Sequence, residues 1–255
     1  MKGGGDSEEK EQPAKTGGRA PSALFVGRPK IIPPAEELIV VTGETDWKIE
    51  CDGETFERCR RDDKFAYIVA LARAVNALSF VHSAILHVGD ADSPEATRER
   101  INSYLFASAI LYEGIKLVKA MERTFLDDVE FQNGLRLTLR DKTARDIEQT
   151  HLNPARNHAV FHFLPHRFAG AINKANPKTC IFIAARGETR RDIHYPFADI
   201  VAAEILVGLS SDREEFYPKL KEAMVSTRDL LVRFTNDAET FISHHLDRWG
   251  FEERR

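Results

Sequence analysis

Residues 64–86 read KFAYIVALARAVNALSFVHSAIL, and the reading of this stretch decides the fold. Tyr67, Leu71, Ala74, Leu78, Val81 and Ile85 recur every three or four positions, which aligns them on one face of an α-helix. Phe65, Ile68, Ala72 and Val75 form a second stripe. A helix that is apolar on two sides is expected at the centre of a helical bundle.

Helical patterning persists outward from there. Gly89 to Pro94 makes a turn, with Ser93 as N-cap and Pro94 at the first helical position. The helix expected over about 95–125 carries Ile101, Tyr104, Leu105, Leu111, Tyr112, Ile115 and Val118 on one face. Phe106, Ile110 and Leu117 make another stripe with Glu113 inside it, so this helix too is expected to be central. Phe131 to Leu139 is short and ambiguous. Lys142 to Thr150 reads as a polar helix; Asn153-Pro154 then reads as a fresh helix start and Pro165 as a stop. The period changes in CIFIAAR (180–186) and RRDIHYPF (190–197), which flank Gly187-Glu188 as a β-hairpin at about 179–195. Asp199 is expected to cap an apolar helix running to about Gly208. Residues 212–249 give one amphipathic helix, or two broken near Tyr217-Pro218, with Phe216, Leu220, Met224, Leu231, Phe234, Phe241 and Leu246 inward. The expected organisation is a flexible tail over 1–35, a short irregular or β segment over 36–62 with a strand pair around Gly43, and a helical domain over 63–250. The fold class is mostly α with one small hairpin.

Composition bounds the function. A hydrophobic fraction of 42% supports a sizeable core, and a net charge of -4 means that an anionic partner needs a locally basic region. Three cysteines at no zinc-ribbon spacing read as reduced thiols. No apolar run is read as approaching the roughly 18 residues of a membrane span, and residues 1–15 lack the apolar core of a secretory signal. A cytoplasmic protein that engages no membrane is the expectation.

The chemistry gathers in residues 152–166, LNPARNHAVFHFLPH. Three readings compete. As a metal strip, His158 and His162 would be an i, i+4 pair, but alanine follows His158 where the zinc-hydrolase pattern needs glutamate. As a core helix, Val160, Phe161 and Phe163 would be buried and the polar residues solvated. As a catalytic strip, the informative residues are Arg156, Asn157 and His162. On an α-helix Arg156 and His162 lie about 9 Å apart along the axis and about 120° apart around it, able to flank one shallow groove.

Arg156-Asn157-His158-Ala159-Val160-Phe161-His162 resembles the signature of the HEPN superfamily (higher eukaryotes and prokaryotes nucleotide-binding), in which an arginine and a polar residue precede a histidine by four to six intervening positions. LARAVNALSFVHSAIL (71–86) and INSYLFASAILYEGIKLVKAMERTF (101–125) look like its two long leading helices, so the likeness covers roughly residues 63–165. The resemblance implies a HEPN-like α-helical bundle, with the hairpin as an insertion. It also implies a metal-independent endoribonuclease, without cofactor, whose active site lies in a homodimer cleft. It further implies RNA as substrate, and a toxin or phage-defence role restrained by an antitoxin or other regulatory protein. Cleavage by the RNA's own 2′-hydroxyl needs an acid/base that works near neutral pH, which suits His162. The phosphorane transition state gathers negative charge, which suits the Arg156 guanidinium. Asn157 would orient one of them, and the role of His158 stays open. The alternative is a non-catalytic HEPN-like module that binds RNA, nucleotide or a partner protein.

Other residues support the site. From Pro154 to Asp192 the chain carries Arg156, Arg167, Lys174, Lys178, Arg186, Arg190 and Arg191 against only Glu188 and Asp192, a basic stretch that a phosphate backbone would reward. Solubility of a hairpin edge would account for the same arginines. Glu113, within an apolar stripe, calls for a cation such as Arg156. Arg73 and Asn76, one turn apart on a mostly apolar helix, would line the same cleft or bridge to another subunit.

Overall fold

The structure, a computed structural model, describes residues 48–88, 94–161, 165–173, 184–185, 193–207 and 213–254. Residues 49–254 form one compact unit.

Helix α3 (Pro94–Met121) is the element around which the others gather. Pro94 opens it, as the fixed φ of proline suits the first helical position. Ile101, Tyr104, Leu105, Ala107, Ala109, Leu111, Ile115 and Val118 are all buried, whereas in the second stripe Phe106 is 49% exposed and Ile110 and Leu117 are half-buried, so α3 carries most of the packing but keeps that face partly open. Helix α2 (Asp63–Val88) is not central. Ile68, Leu71, Val75, Leu78 and Val81 are buried against α3 and α9 (Arg213–Trp249), while Val69, Leu86 and Phe80, the last 76% exposed, point outward. Both of its stripes are buried or half-buried, and the exposed face is a third one that carries Val69, Ala70, Arg73, Asn76 and Phe80. A helix can therefore be apolar on two sides and still be peripheral. The same composition makes Asp63–Leu86 long and apolar enough to cross a membrane by length and composition, with mean hydropathy 1.6. This corrects the expectation that no run approaches a membrane span.

Before α2, Asp52 caps a short helix α1 (Gly53–Cys59), its carboxylate accepting from the Thr55 N–H at 2.7 Å. The sequence reading assigns no helix there. After α3, Asp128 caps α4 (Val129–Asn133) in the same way, and α5 (Leu135–Arg140) and α6 (Lys142–Ile147) follow. The ambiguous stretch 131–139 is thus two short helices broken at Gly134, where a Cβ would meet the Glu130 carbonyl oxygen at 3.1 Å. Helix α7 (Pro165–Ile172) starts on the proline read as a stop. Helix α8 (Pro196–Val207) starts on Pro196, and Asp199 lies in its first turn instead of capping it. Helix α9 runs unbroken through Pro218, which sits near its N-terminal end and removes one backbone bond. It ends in a Schellman motif: Gly250 takes φ 85°, its N–H donates to the Asp247 carbonyl, and the Phe251 N–H donates to that of Leu246.

Strands are minor. β2 (Ala184–Ala185) and β3 (Ile193–His194) pair antiparallel, Ala184 opposite His194 and Ala185 opposite Ile193, at the base of the expected hairpin. β1 (Lys48–Glu50) and β4 (Glu252–Arg254) form a second two-stranded sheet. The strand pair expected around Gly43 lies outside the described residues.

Two clusters of buried side chains form the core. The larger joins α2, α3, α4, α5, α6 and α9 through residues such as Leu71, Leu111, Phe125, Phe131, Phe234 and Phe241. The smaller lies where α3, α8 and α9 meet residues 155–160 and is lined by alanines 155, 159, 202, 203 and 223 with Tyr104, Leu105, Phe216 and Leu220.

Candidate functional site

The backbone under the motif is not α-helical. Helix α6 continues without interruption into two π-helical segments, Glu148–Leu152 and Ala155–Val160, joined by helical Asn153 and Pro154. The fresh helix start expected at Asn153-Pro154 is therefore absent. Proline has no N–H and its ring collides with the carbonyl four residues back. Widening the hydrogen-bonded ring to i→i+5 on either side lets the helix pass it. Angular counts based on 3.6 residues per turn, including the i, i+4 pairing of His158 with His162, no longer apply here.

The second π segment packs closely against α3 and α8 because Ala155 and Ala159 are buried and small. That approach brings Arg156 to Glu113 of α3, 43 residues earlier: Arg156 Nε donates to Glu113 Oε1 at 2.8 Å. The ion pair read from Glu113's place in an apolar stripe is present, although Glu113 is 43% exposed at the side chain and not buried. Its second oxygen takes Lys116 Nζ at 3.2 Å. On the other edge of the guanidinium, Arg156 Nη1 donates to Asn157 Oδ1 at 2.8 Å, and Asn157 Nδ2 donates in turn to Asn153 Oδ1. The guanidinium is held along two edges, one by a carboxylate and one by an amide that is itself held. Asn153 and Lys116 were not singled out from sequence. Asn153 stands one α-turn before Asn157, which was the available signal.

Phe161 corrects the core reading of the motif. It is 52% exposed, and the Arg156 guanidinium carbon lies 6.0 Å from its ring centre. Below the motif, His151 Nδ1 and His158 Nδ1 are buried without a hydrogen-bond partner. Burial holds the His151 imidazole below its ordinary value, partly offset by the Glu222 carboxylate. Burial likewise pushes the Tyr104 phenol up.

His162, Phe163, Lys174, Lys178, Arg186, Arg190 and Arg191 lie outside the described residues. Arg167 is exposed on α7. Arg73 and Asn76 are exposed on the outer stripe of α2, with no hydrogen bond or ion pair among the described residues. Among those residues no group of three histidine, cysteine or acidic side chains gathers to hold a metal. A cavity of about 350 Å³ lined by Lys64, Arg123, Asp128, Glu130 and Arg248 contains none of the residues singled out from sequence.

Fold and site together define a mostly α-helical protein with a braced arginine on a π-helical arm. Compared with family models, with curated proteins and with solved structures, the chain matches none.

Proposed function

We propose that the protein is a HEPN-type, metal-independent endoribonuclease that cleaves RNA by attack of the 2′-hydroxyl, with its active site in a homodimer cleft. The observation that carries this reading is the bracing of Arg156 by Glu113 and Asn157. A guanidinium fixed on two edges presents its charge in one orientation, and such preorganisation is what stabilises a transition state. In the proposed reaction Arg156 holds the non-bridging phosphate oxygens as charge gathers on them. His162 takes the proton from the 2′-hydroxyl or gives one to the leaving 5′-oxygen. Asn157 and Glu113 are positioning residues. Two copies of the motif facing one another would supply acid and base together. A toxin or phage-defence role, restrained by an antitoxin or regulatory protein, belongs to the same proposal.

A second reading, the non-catalytic HEPN-like module, is favoured by the same ion pair: Glu113 offsets part of the charge that Arg156 would offer to phosphate. Cleavage of RNA in EDTA separates the two. Wild type should cut, and Arg156→Ala and His162→Ala should each lose at least about a hundredfold in rate, the scale of a missing electrostatic or acid–base partner. Undiminished cleavage by either purified variant sinks the catalytic assignment. Wild type that binds RNA without cutting it supports the module.

A further inference from the structure

The exposure of Phe161 and its place beside Arg156 have a common origin in the π-helical backbone. They stand five positions apart in the chain, and in an α-helix that spacing would set the two side chains about 140° apart around the axis. The i→i+5 turn of the π segment brings them together, with the guanidinium carbon 6.0 Å from the ring centre. A single exposed phenylalanine needs no explanation. One carried beneath a braced arginine by a local departure from α geometry places an aromatic face next to a phosphate-binding group.

We propose that Phe161 is a nucleobase platform: one base of a single-stranded RNA stacks on its ring while Arg156 holds the adjoining phosphate. The inference rests on the ribonuclease reading and names the part of the substrate that is bound, an unpaired nucleotide. Every base has a π face, so an exposed ring accepts any of them, and an adjacent guanidinium strengthens the contact. Bases within a duplex are already stacked on their neighbours, so the platform selects single strands, loops and bulges. A protein partner would call for a contiguous apolar patch. The side chains that lead to Phe161 on this face are instead Asn153, Arg156 and Asn157, which are joined by hydrogen bonds.

The test uses the full-length chain and a 2′-O-methyl oligoribonucleotide, which cannot be cut, carrying 2-aminopurine at successive positions. Wild type should quench the fluorophore at one position. Phe161→Leu should abolish that quenching and weaken binding about tenfold, whereas Phe161→Tyr restores both. An abasic site at the same position should erase the difference between wild type and Phe161→Leu. Circular dichroism checks that the variants fold, as a half-exposed position leads one to expect. If Phe161→Leu binds and cuts like wild type, the platform is overturned and the ribonuclease stands. If wild type neither binds nor cuts RNA, the ribonuclease reading falls and takes the platform with it.

Discussion

The aromatic cluster around Phe125 and the alanine-lined cluster under Arg156 bury their helices by different means. In the first, Phe125 meets Phe241 edge-on at 5.2 Å and Phe131 at 5.9 Å, and Phe241 meets the His245 ring at 4.6 Å. Large rings interlock, and Asp128 caps α4, takes Arg248 at 3.4 Å and lies 3.2 Å from His245 Nε2, which makes no hydrogen bond among the described residues. In the second, small residues let backbones approach, and His151 Nδ1 and His158 Nδ1 are buried without a hydrogen-bond partner among the described residues. Unsatisfied buried polar atoms oppose folding. The two regions differ in how they close, one by interlocking rings and the other by close approach of backbones, and each leaves a buried histidine nitrogen without a hydrogen bond among the described residues.

The sharpest way to break this contrast is at Phe241. Phe241→Ala should cost about 3–5 kcal/mol in denaturant unfolding, because a buried ring that touches three others leaves a cavity. Next in size is Ala159→Leu, which overfills the contact between the π segment and α3 and should cost about 1–3 kcal/mol. It should also lower RNA cleavage by moving Arg156 off Glu113; unchanged stability would show that the alanine cluster has spare room. Thr138→Val tests a polar group within the larger cluster. The buried hydroxyl donates to Asp237 and accepts from Arg233 Nε at 3.0 Å, so its loss should cost about 1–3 kcal/mol by the same unfolding measurement.

Acid should weaken both regions, by a smaller margin. Burial holds His82, His151 and His245 below the ordinary imidazole value of 6.5. As pH falls through about 6.5 the unfolded chain takes up protons before the folded one, so stability is lost on going down. Asp237 and Glu239, raised by burial, act in the opposite sense, but only from the ordinary carboxylate values of 3.8 and 4.5 upward. Thermal midpoints at pH 7.5 and 6.0 should therefore differ, and His245→Gln and His151→Gln should each flatten the slope. A slope unchanged in both would remove these histidines as its cause. The smallest expected effect on stability is that of Glu113→Gln, within about 1 kcal/mol for a half-exposed ion pair. In cleavage assays the same variant should lower kcat while leaving KM nearly unchanged, as a positioning residue would.

Helical periodicity was enough to read α3 as the helix on which others pack, though not the exposure of Phe106, and α9 as a long inward-facing helix, while the break in that period marked the hairpin whose base is paired. These features depend on local patterns of apolar residues, caps and turns, which a sequence carries openly. Polarity out of place pointed to Glu113, because a carboxylate within an apolar stripe needs a cation. The reading of α2 as central missed its third face, where Val69 and Phe80 are exposed beside Arg73 and Asn76 although both apolar stripes pack inward. What no pattern carries is the π register at 148–160. The choice between i→i+4 and i→i+5 bonds is made by Pro154 and by how closely the arm can settle on α3 and α8. From that choice follow the bracing of Arg156 by a residue 43 positions away and the meeting of Arg156 with Phe161. The sequence by itself determined which side chains the site has to work with; the tertiary packing of the arm decided which of them touch, because register and close approach are properties of the assembled helices and not of any one of them.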